Sequence, residues 1–491
     1  MTKTRNDANA NANSNSNSRV ADLLGDGGPS ICRAMRAAAD LLAAAEPAKL
    51  LQRVGQTLGE IPPAEHLTKR FIQSSYRGDL AQPPDDLLTG LGVFYVTEQR
   101  KLYLDCTAGH YQMTWGYRHP ELEAALREAT QLGVVWDNHS NIPGNAIKRL
   151  SERLVEIAND APADDALASD DRALNTVLLG ICTGSVAVSS ALKIALRHHE
   201  SVRPDAPPVF ITLAGNYHGT DFLAQRLRGM WPRYFQNVAV VEVEPNDAAG
   251  LRRAFAAHRG GVAAMIAEPI LMNREAILLD ADFLREARTL CDEADALLVI
   301  DEIQTGFWCP EVFMVKQSGI LPDVLVVGKG MAAGLHPLSA ILYRRKYDRL
   351  AQYDAISTNG NAPLAAVAAL ACLKLVESER DRIDQLARHY FARLHELLGN
   401  GPGPGPGGGP RYSRVAAVHG SGLLSGLKFH AVADALEFHR RCIRRGLWVR
   451  VHAYHEGHST ILTKFALAAD RQVADFVVDS FRTVLEEMDH A

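Results

Sequence analysis

No Cys-x-x-Cys pair occurs in the chain. Its seven cysteines (Cys32, Cys106, Cys182, Cys291, Cys309, Cys372 and Cys442) are scattered and odd in number. That pattern argues against a disulfide framework and against a zinc site; reduced thiols, a cytoplasmic location and no bound metal are expected. No apolar run is long enough to span a bilayer. The polar, repetitive start MTKTRNDANANANSNSNS lacks the apolar stretch of a secretory signal, and residues 1–20 read as a disordered tail. Excess positive charge is also missing. A formal net charge of −5 gives no general attraction to nucleic acid or to an anionic membrane. No internal repeat is found. What is there is a chain of 491 residues, 47% hydrophobic and 22% charged, enough for a large core and more than one domain.

Residues 21–90 form an N-terminal helical segment, rich in Ala and Leu with Gly and Pro breaks, in which no chemistry is legible. GVFYVTEQRKLYLDC alternates like a hairpin and opens residues 91–144, the N-terminal part of a small domain. From 145 to 375 the pattern changes. The apolar runs TVLLGIC, PVFITLAG, VAVVEVE, VAAMIAEPI, ALLVIDE and DVLVVGKG are separated by helical stretches such as AVSSALKIALRHH and DFLREARTLCDEAD. Continuous apolar strands between helices predict an α/β domain whose mainly parallel sheet is covered on both faces. Residues 376–491 read as a smaller α+β domain, interrupted by the flexible Gly/Pro tract at 399–410.

Ligands of open α/β sheets bind at the carboxyl ends of strands, and polar groups stand at five of them. Thr183, Gly184 and Ser185 follow the first run; Asn216, Tyr217 and His218 follow the second. Glu268 follows VAAMIA, Asp301, Glu302 and Gln304 follow ALLVI, and Lys329 follows DVLVV. The Thr183–Ser185 turn is either an anion cradle at a helix start or an ordinary N-cap. Asp301 either faces a cation or caps a neighbouring helix. Lys329, between Gly328 and Gly330, is either a nucleophile of lowered pKa or the partner of Asp301 or Glu268. Phosphate cradle, carboxylate and lysine together match what pyridoxal phosphate requires.

These segments resemble the class III (ornithine/acetylornithine-like) aminotransferases, enzymes of pyridoxal-phosphate fold type I. The likeness is carried in order by CTGSVAVSSALKIAL, NYHGT, MIAEPI, VIDEIQTGF, PDVLVVGKGMAAGLHPLSAIL and STNGNAPLAAVAAL. The resemblance implies a large mixed-sheet domain, a smaller α+β domain and pyridoxal 5′-phosphate bound as a Schiff base to Lys329. It further implies that Asp301 faces the pyridine nitrogen and Gln304 the phenolic oxygen. Thr183, Gly184 and Ser185 would hold the phosphate, Tyr217 would lie over the ring, and His218 and Glu268 would line the cofactor. Thr358 would reach the phosphate of a second copy, so a homodimer with shared active sites is implied. Tyr111 and Trp115, within TAGHYQMTW, fall where the family places substrate contacts, although simple packing explains them equally; DNHSN at 137–141 is similar.

The departures are specific. Val186 stands where the family carries a glutamate, and WCPE replaces its Gly-Arg-Thr-Gly. The arginine that binds a substrate carboxylate is missing from TILTKFAL, with Lys464 close to its place, while GYRHP puts Arg118 near the site entrance. A lysine does not reproduce an arginine's two-pronged grip on a carboxylate. The expected activity is therefore amino transfer, between an amino acid or amine and a keto acid or aldehyde, on an atypical substrate of specialised biosynthesis. The alternative is elimination, replacement, carbon–carbon bond formation or amino shift on the same cofactor. A binding protein without turnover is the third reading, disfavoured by the presence of both Lys329 and Asp301. His198 and His199 suit a helix C-terminus, and RRCIRR reads as a solvated basic face.

Overall fold

The computed structural model describes residues 19–68, 70–71, 86–136, 142–230, 232–358, 360–399, 412–452 and 457–490. At its centre lie seven strands: β1 (Thr176–Ile181), β2 (Val209–Leu213), β3 (Ala239–Val243), β4 (Val262–Ala267), β5 (Leu297–Asp301), β6 (Val324–Val327) and β7 (Ser339–Tyr343). They are ordered β1-β7-β6-β5-β4-β2-β3. All six apolar runs form strands as expected. The seventh strand, β7, runs antiparallel to both β6 and β1. It lies inside the lysine segment, where the sequence reading marked no separate strand. Because β7 alone is reversed, the carboxyl ends of the other six share one edge, and Ser339 begins β7 at that same edge.

Successive residues of a strand face opposite sides. Ile266, Val299, Val326 and Ile341 pack on one face with Ala187, Val188, Ala191 and Leu192 of the helix Gly184–Val202. Met265, Leu298, Ile300 and Leu325 pack on the other, with Phe283, Leu284 and Ala287 of the helix Ala281–Ala294. Apolar residues on both faces are what a covered parallel sheet demands. β3 differs from that expectation: it is one of the two edge strands, and Ala239 and Glu242 are exposed.

The hairpin at EQRK forms between Phe94–Thr97 and Leu102–Asp105. Its sheet is closed by Leu447–Trp448, which pairs in parallel with Leu104 and Asp105, so both ends of the chain build it. A second, antiparallel sheet holds Val415–Ser421, Leu424–Phe429, Thr460–Thr463 and Arg450–Val451. His198 is buried beside Asp295 and Tyr347, and His199 bonds the Ala206 carbonyl, so both are structural. Of the basic run, Arg441 pairs with Glu437 and Arg445 with Glu487.

After the hairpin the backbone turns through four successive residues of positive φ, Ala108, Gly109, His110 and Tyr111. Each non-glycine residue there costs of order 1 kcal/mol. Asp105, 2% exposed, offsets that cost. Its Oδ1 accepts from the Thr107 N–H at 2.8 Å and the Thr107 hydroxyl at 2.9 Å. Its Oδ2 accepts from the Gly109 N–H at 2.8 Å and the Tyr117 hydroxyl at 3.1 Å. Asp105→Ala strands these donors and is expected to lower stability by about 3 kcal/mol or more. Denaturant unfolding reads the loss; a change below about 1 kcal/mol contradicts the role given to Asp105.

Candidate active site

The shared strand edge gathers the charged groups. Asp301 ends β5 and is 3% exposed. Its Oδ2 faces His218 Nδ1 at 2.7 Å, and its Oδ1 accepts from the Ile303 N–H at 2.9 Å. His218, following β2, is buried as well. Burial alone pulls its imidazole down, but the bond to Asp301, that carboxylate's charge and Glu268 outweigh burial and raise it above its ordinary range. The pair is thus a buried hydrogen bond between an imidazole and a carboxyl group. Its other ring nitrogen, Nε2, is buried without a hydrogen-bond partner.

Glu268, beyond β4, accepts from the Tyr217 N–H at 2.9 Å and from Gln304 Nε2 at 3.3 Å. Burial lifts its carboxyl to about 7, against the charge of His218. Gln304 also donates to Asn273 Oδ1 at 3.0 Å. Glu302 points the other way, into the core, where it accepts from the Val315 N–H at 2.6 Å and from the Thr305 hydroxyl. It braces the loop beyond β5.

Lys329 begins a single 3₁₀ turn directly beyond β6, with φ of 35°. The flanking glycines are a matter of space. A Cβ on Gly328 would stand 2.7 Å from Ser339 Oγ, and one on Gly330 2.7 Å from Thr114 Oγ1. Desolvation lowers the Lys329 amine to about 8, partly opposed by Asp301 and Glu268 and assisted by Arg450. No carboxylate bonds it directly among the described residues, so a structural ion pair does not account for it.

The helix Gly184–Val202 starts beside these groups. The Thr183 hydroxyl does not cap it, so the first amides stay directed at the edge. Ser185 Oγ accepts from the Thr220 N–H at 2.9 Å. Gly219 has φ of 102°, and a Cβ there would lie 2.2 Å from Ser185 Oγ. An open helix start, a hydroxyl and a turn that admits only glycine make an anion cradle rather than an ordinary N-cap. The buried acid, the depressed lysine and this cradle fit pyridoxal 5′-phosphate. Tyr217 lies beside them, with the guanidinium of Arg228 5.1 Å from its ring centre.

The four residues expected to touch substrate divide. Tyr111 has no exposed surface, yet its ring lies under the site, 5.8 Å from Lys329 Nζ and 5.2 Å from Lys464 Nζ. Trp115 is fully buried against His119 and Arg382, a packing role. Arg118 is exposed and pairs with Glu123 on the outer surface. Lys464 is completely buried, 4.2 Å over the Trp308 ring, and donates to the Gln304 carbonyl. Burial, then the charge of Lys329, pushes its amine well below the ordinary range. Thr358 is exposed. The stretch 137–141 lies outside the described residues. Two arginines were missed from sequence, Arg228 and Arg450; the sole hint for Arg450 is a cation inside the short apolar run LWVRV.

The family model Aminotransferase class-III matches residues 86–485. An ornithine aminotransferase of Emericella nidulans is 28% identical over 314 residues, covering 60% of this chain and 65% of that protein, just under two thirds of its length. An acetylornithine aminotransferase of Agrobacterium fabrum is 29% identical over 367 residues, covering 71% of this chain and 82% of the other. The solved ornithine aminotransferase of Toxoplasma gondii shares the fold, with a TM-score of 0.71 at 21% identity over 86% of this chain and 94% of that one.

Gly219→Ala is expected to displace Ser185 and to weaken binding of pyridoxal phosphate to the cofactor-free protein at least ~10-fold, as measured by equilibrium dialysis. Unchanged affinity contradicts the cradle.

Proposed function

Because the chain belongs to the class-III aminotransferase family, we propose that it is a pyridoxal-phosphate-dependent aminotransferase. It moves an amino group between an amino acid or amine and a keto acid or aldehyde. One observation carries the reading: Lys329, the Asp301–His218 pair and the open helix start at Gly184 converge on one strand edge. The relatives named ornithine and acetylornithine aminotransferases support amino transfer in general. The departures at Val186, WCPE and TILTKFAL support a substrate of different shape.

Each residue then has a task. The amides at Gly184 and Ser185, with the Ser185 hydroxyl, hold the phosphate. Asp301, fixed by His218 and the Ile303 amide, would face the pyridine nitrogen. Gln304, held by Glu268 and Asn273 through its Nε2, would lie near the phenolic oxygen. When bound, the cofactor supplies an electron sink for the carbanion left as a proton leaves the substrate carbon. Lys329 would hold the cofactor covalently, and its freed Nζ would accept that proton and return it. An amine lowered to about 8 suits both tasks, since a useful fraction is neutral near physiological pH. Two copies sharing their sites belong to the reading, with exposed Thr358 available to the second copy.

Lys329→Ala is expected to retain cofactor through the cradle and Asp301 while losing borohydride-fixable attachment, with turnover falling at least ~10²-fold. In the unmodified cofactor-free protein, the rate of covalent capture is expected to rise with pH as the amine loses its proton, with a midpoint near 8 rather than at the ordinary 10.5. Turnover that survives Lys329→Ala contradicts the assignment.

A further inference from the structure

Two departures from the family pattern, WCPE and TILTKFAL, meet in space. Lys464 of the second lies 4.2 Å over the ring of Trp308 from the first, and both are buried. The Tyr111 ring centre stands 5.2 Å from the same amine. An amine in such dry surroundings is costly unless something uses it. Here it donates to the Gln304 carbonyl, and no carboxylate bonds it among the described residues. The main chain of Lys464 is tied as well, its N–H donating to the Cys106 carbonyl at 2.7 Å.

Lys464 directly follows Thr460–Thr463, an inner strand of the second sheet. Ser459 directly precedes that strand, and its N–H donates to Glu275 Oε1 at 2.5 Å. Glu275 also pairs with Lys428 of Leu424–Phe429, and its carbonyl accepts from His419 Nδ1 of Val415–Ser421 at 2.8 Å. It stands at the tip of a short ribbon in which Ile270–Leu271 pairs with Ile277–Leu278. Glu275 and Ala276 have φ of 63° and 54°. Two successive non-glycine residues keep such a conformation only where the surroundings over-determine it. The bonds from Ser459, Lys428 and His419 do so.

On the same tip, buried Asn273 accepts from Gln304 Nε2 at 3.0 Å. Gln304 is therefore reached from both ends of one strand. Beyond Thr463, Lys464 holds its carbonyl; before Thr460, the ribbon tip bound to Ser459 holds its side chain. We propose that Lys464 and Glu275 are positioning residues that pin the two ends of Thr460–Thr463 to Gln304, so that the second sheet fixes where the Gln304 side chain stands against the cofactor. Trp308 and Lys464 are then one device. The ring keeps water from the amine, and the amine holds the loop that carries the ring; a hydrogen bond in dry surroundings is the stronger for it. The inference rests on the reading that Gln304 lies near the phenolic oxygen.

The test is a mutant cycle read by equilibrium dialysis of pyridoxal phosphate against the cofactor-free protein. Gln304→Ala alone is expected to raise the dissociation constant about fivefold or more. Lys464→Met keeps the length of the side chain and removes the bond. It is expected to raise the constant about fivefold in the otherwise unmodified protein and less than about twofold in Gln304→Ala. A merely structural tie would weaken both backgrounds equally. With cofactor bound, the visible band of Lys464→Met is expected to shift in the same direction as that of Gln304→Ala. If Lys464→Met does not fold, Glu275→Gln keeps the shape and removes the charge that pairs with Lys428. A loss of about threefold, again absent in Gln304→Ala, is then expected. Equal losses in both backgrounds, or no loss, overturn the proposal. If Gln304→Ala itself loses nothing, the placement of Gln304 fails and the proposal with it. If the unmodified protein shows no visible cofactor band, it is the amino-transfer reading that fails.

Discussion

The bond between Asp301 and His218 is the constraint on which the rest depends. Two groups with almost no exposed surface face each other at 2.7 Å at the end of a strand. A buried ion costs several kcal/mol unless paired and hydrogen-bonded. The pairing requires β2 and β5 to end at the same level, with β4 between them. The same level sets Glu268 beneath the Tyr217 amide and Lys329 one strand further on. Loss of either partner would leave a buried polar group without its hydrogen bond, so the site and the sheet are one energetic unit. Such an arrangement favours a ligand that brings its own positive group to Asp301 and its own negative group to the helix start, which is the polarity of pyridoxal phosphate.

A second constraint is steric. The chain passes Lys329 through a left-handed conformation between glycines that have no room for a methyl group, and passes Tyr111 through another. Strain at two facing backbone segments persists because the surroundings over-determine it. Asp105 fixes one, and the packing of Thr114 and Ser339 around Gly330 and Gly328 fixes the other. The result is an amine that cannot wander, held near an aromatic floor.

Much of this was legible in the sequence, because continuous apolar runs announce a covered sheet and polar residues immediately beyond them announce its working edge. Lys329, Asp301, Glu268, Gln304, His218 and the Thr183–Ser185 turn were found this way. β7 was not, since its reversal is a matter of connection rather than composition. The strand Leu447–Trp448 was missed because two residues carry no period. Depth is equally invisible along a chain. Trp115 and Lys464 looked like substrate contacts but are sealed by tertiary packing, and Arg118 points to solvent. Arg450 was hidden for the opposite reason. It follows closely on the basic run RRCIRR, whose members pair with acids, and only the three-dimensional structure shows that Arg450 instead bonds His452.

The central claim is that the amino group leaves the substrate on the cofactor and waits for an acceptor. The most direct measurement is the absorbance spectrum of the purified protein before and after a single amino compound is added without any keto acid or aldehyde. The account predicts a lasting loss of the visible band, replaced by the near-ultraviolet band of the aminated cofactor, and its return when an acceptor is supplied. Return of the visible band with no acceptor present would contradict amino transfer and make elimination, replacement or amino shift the reaction of this site.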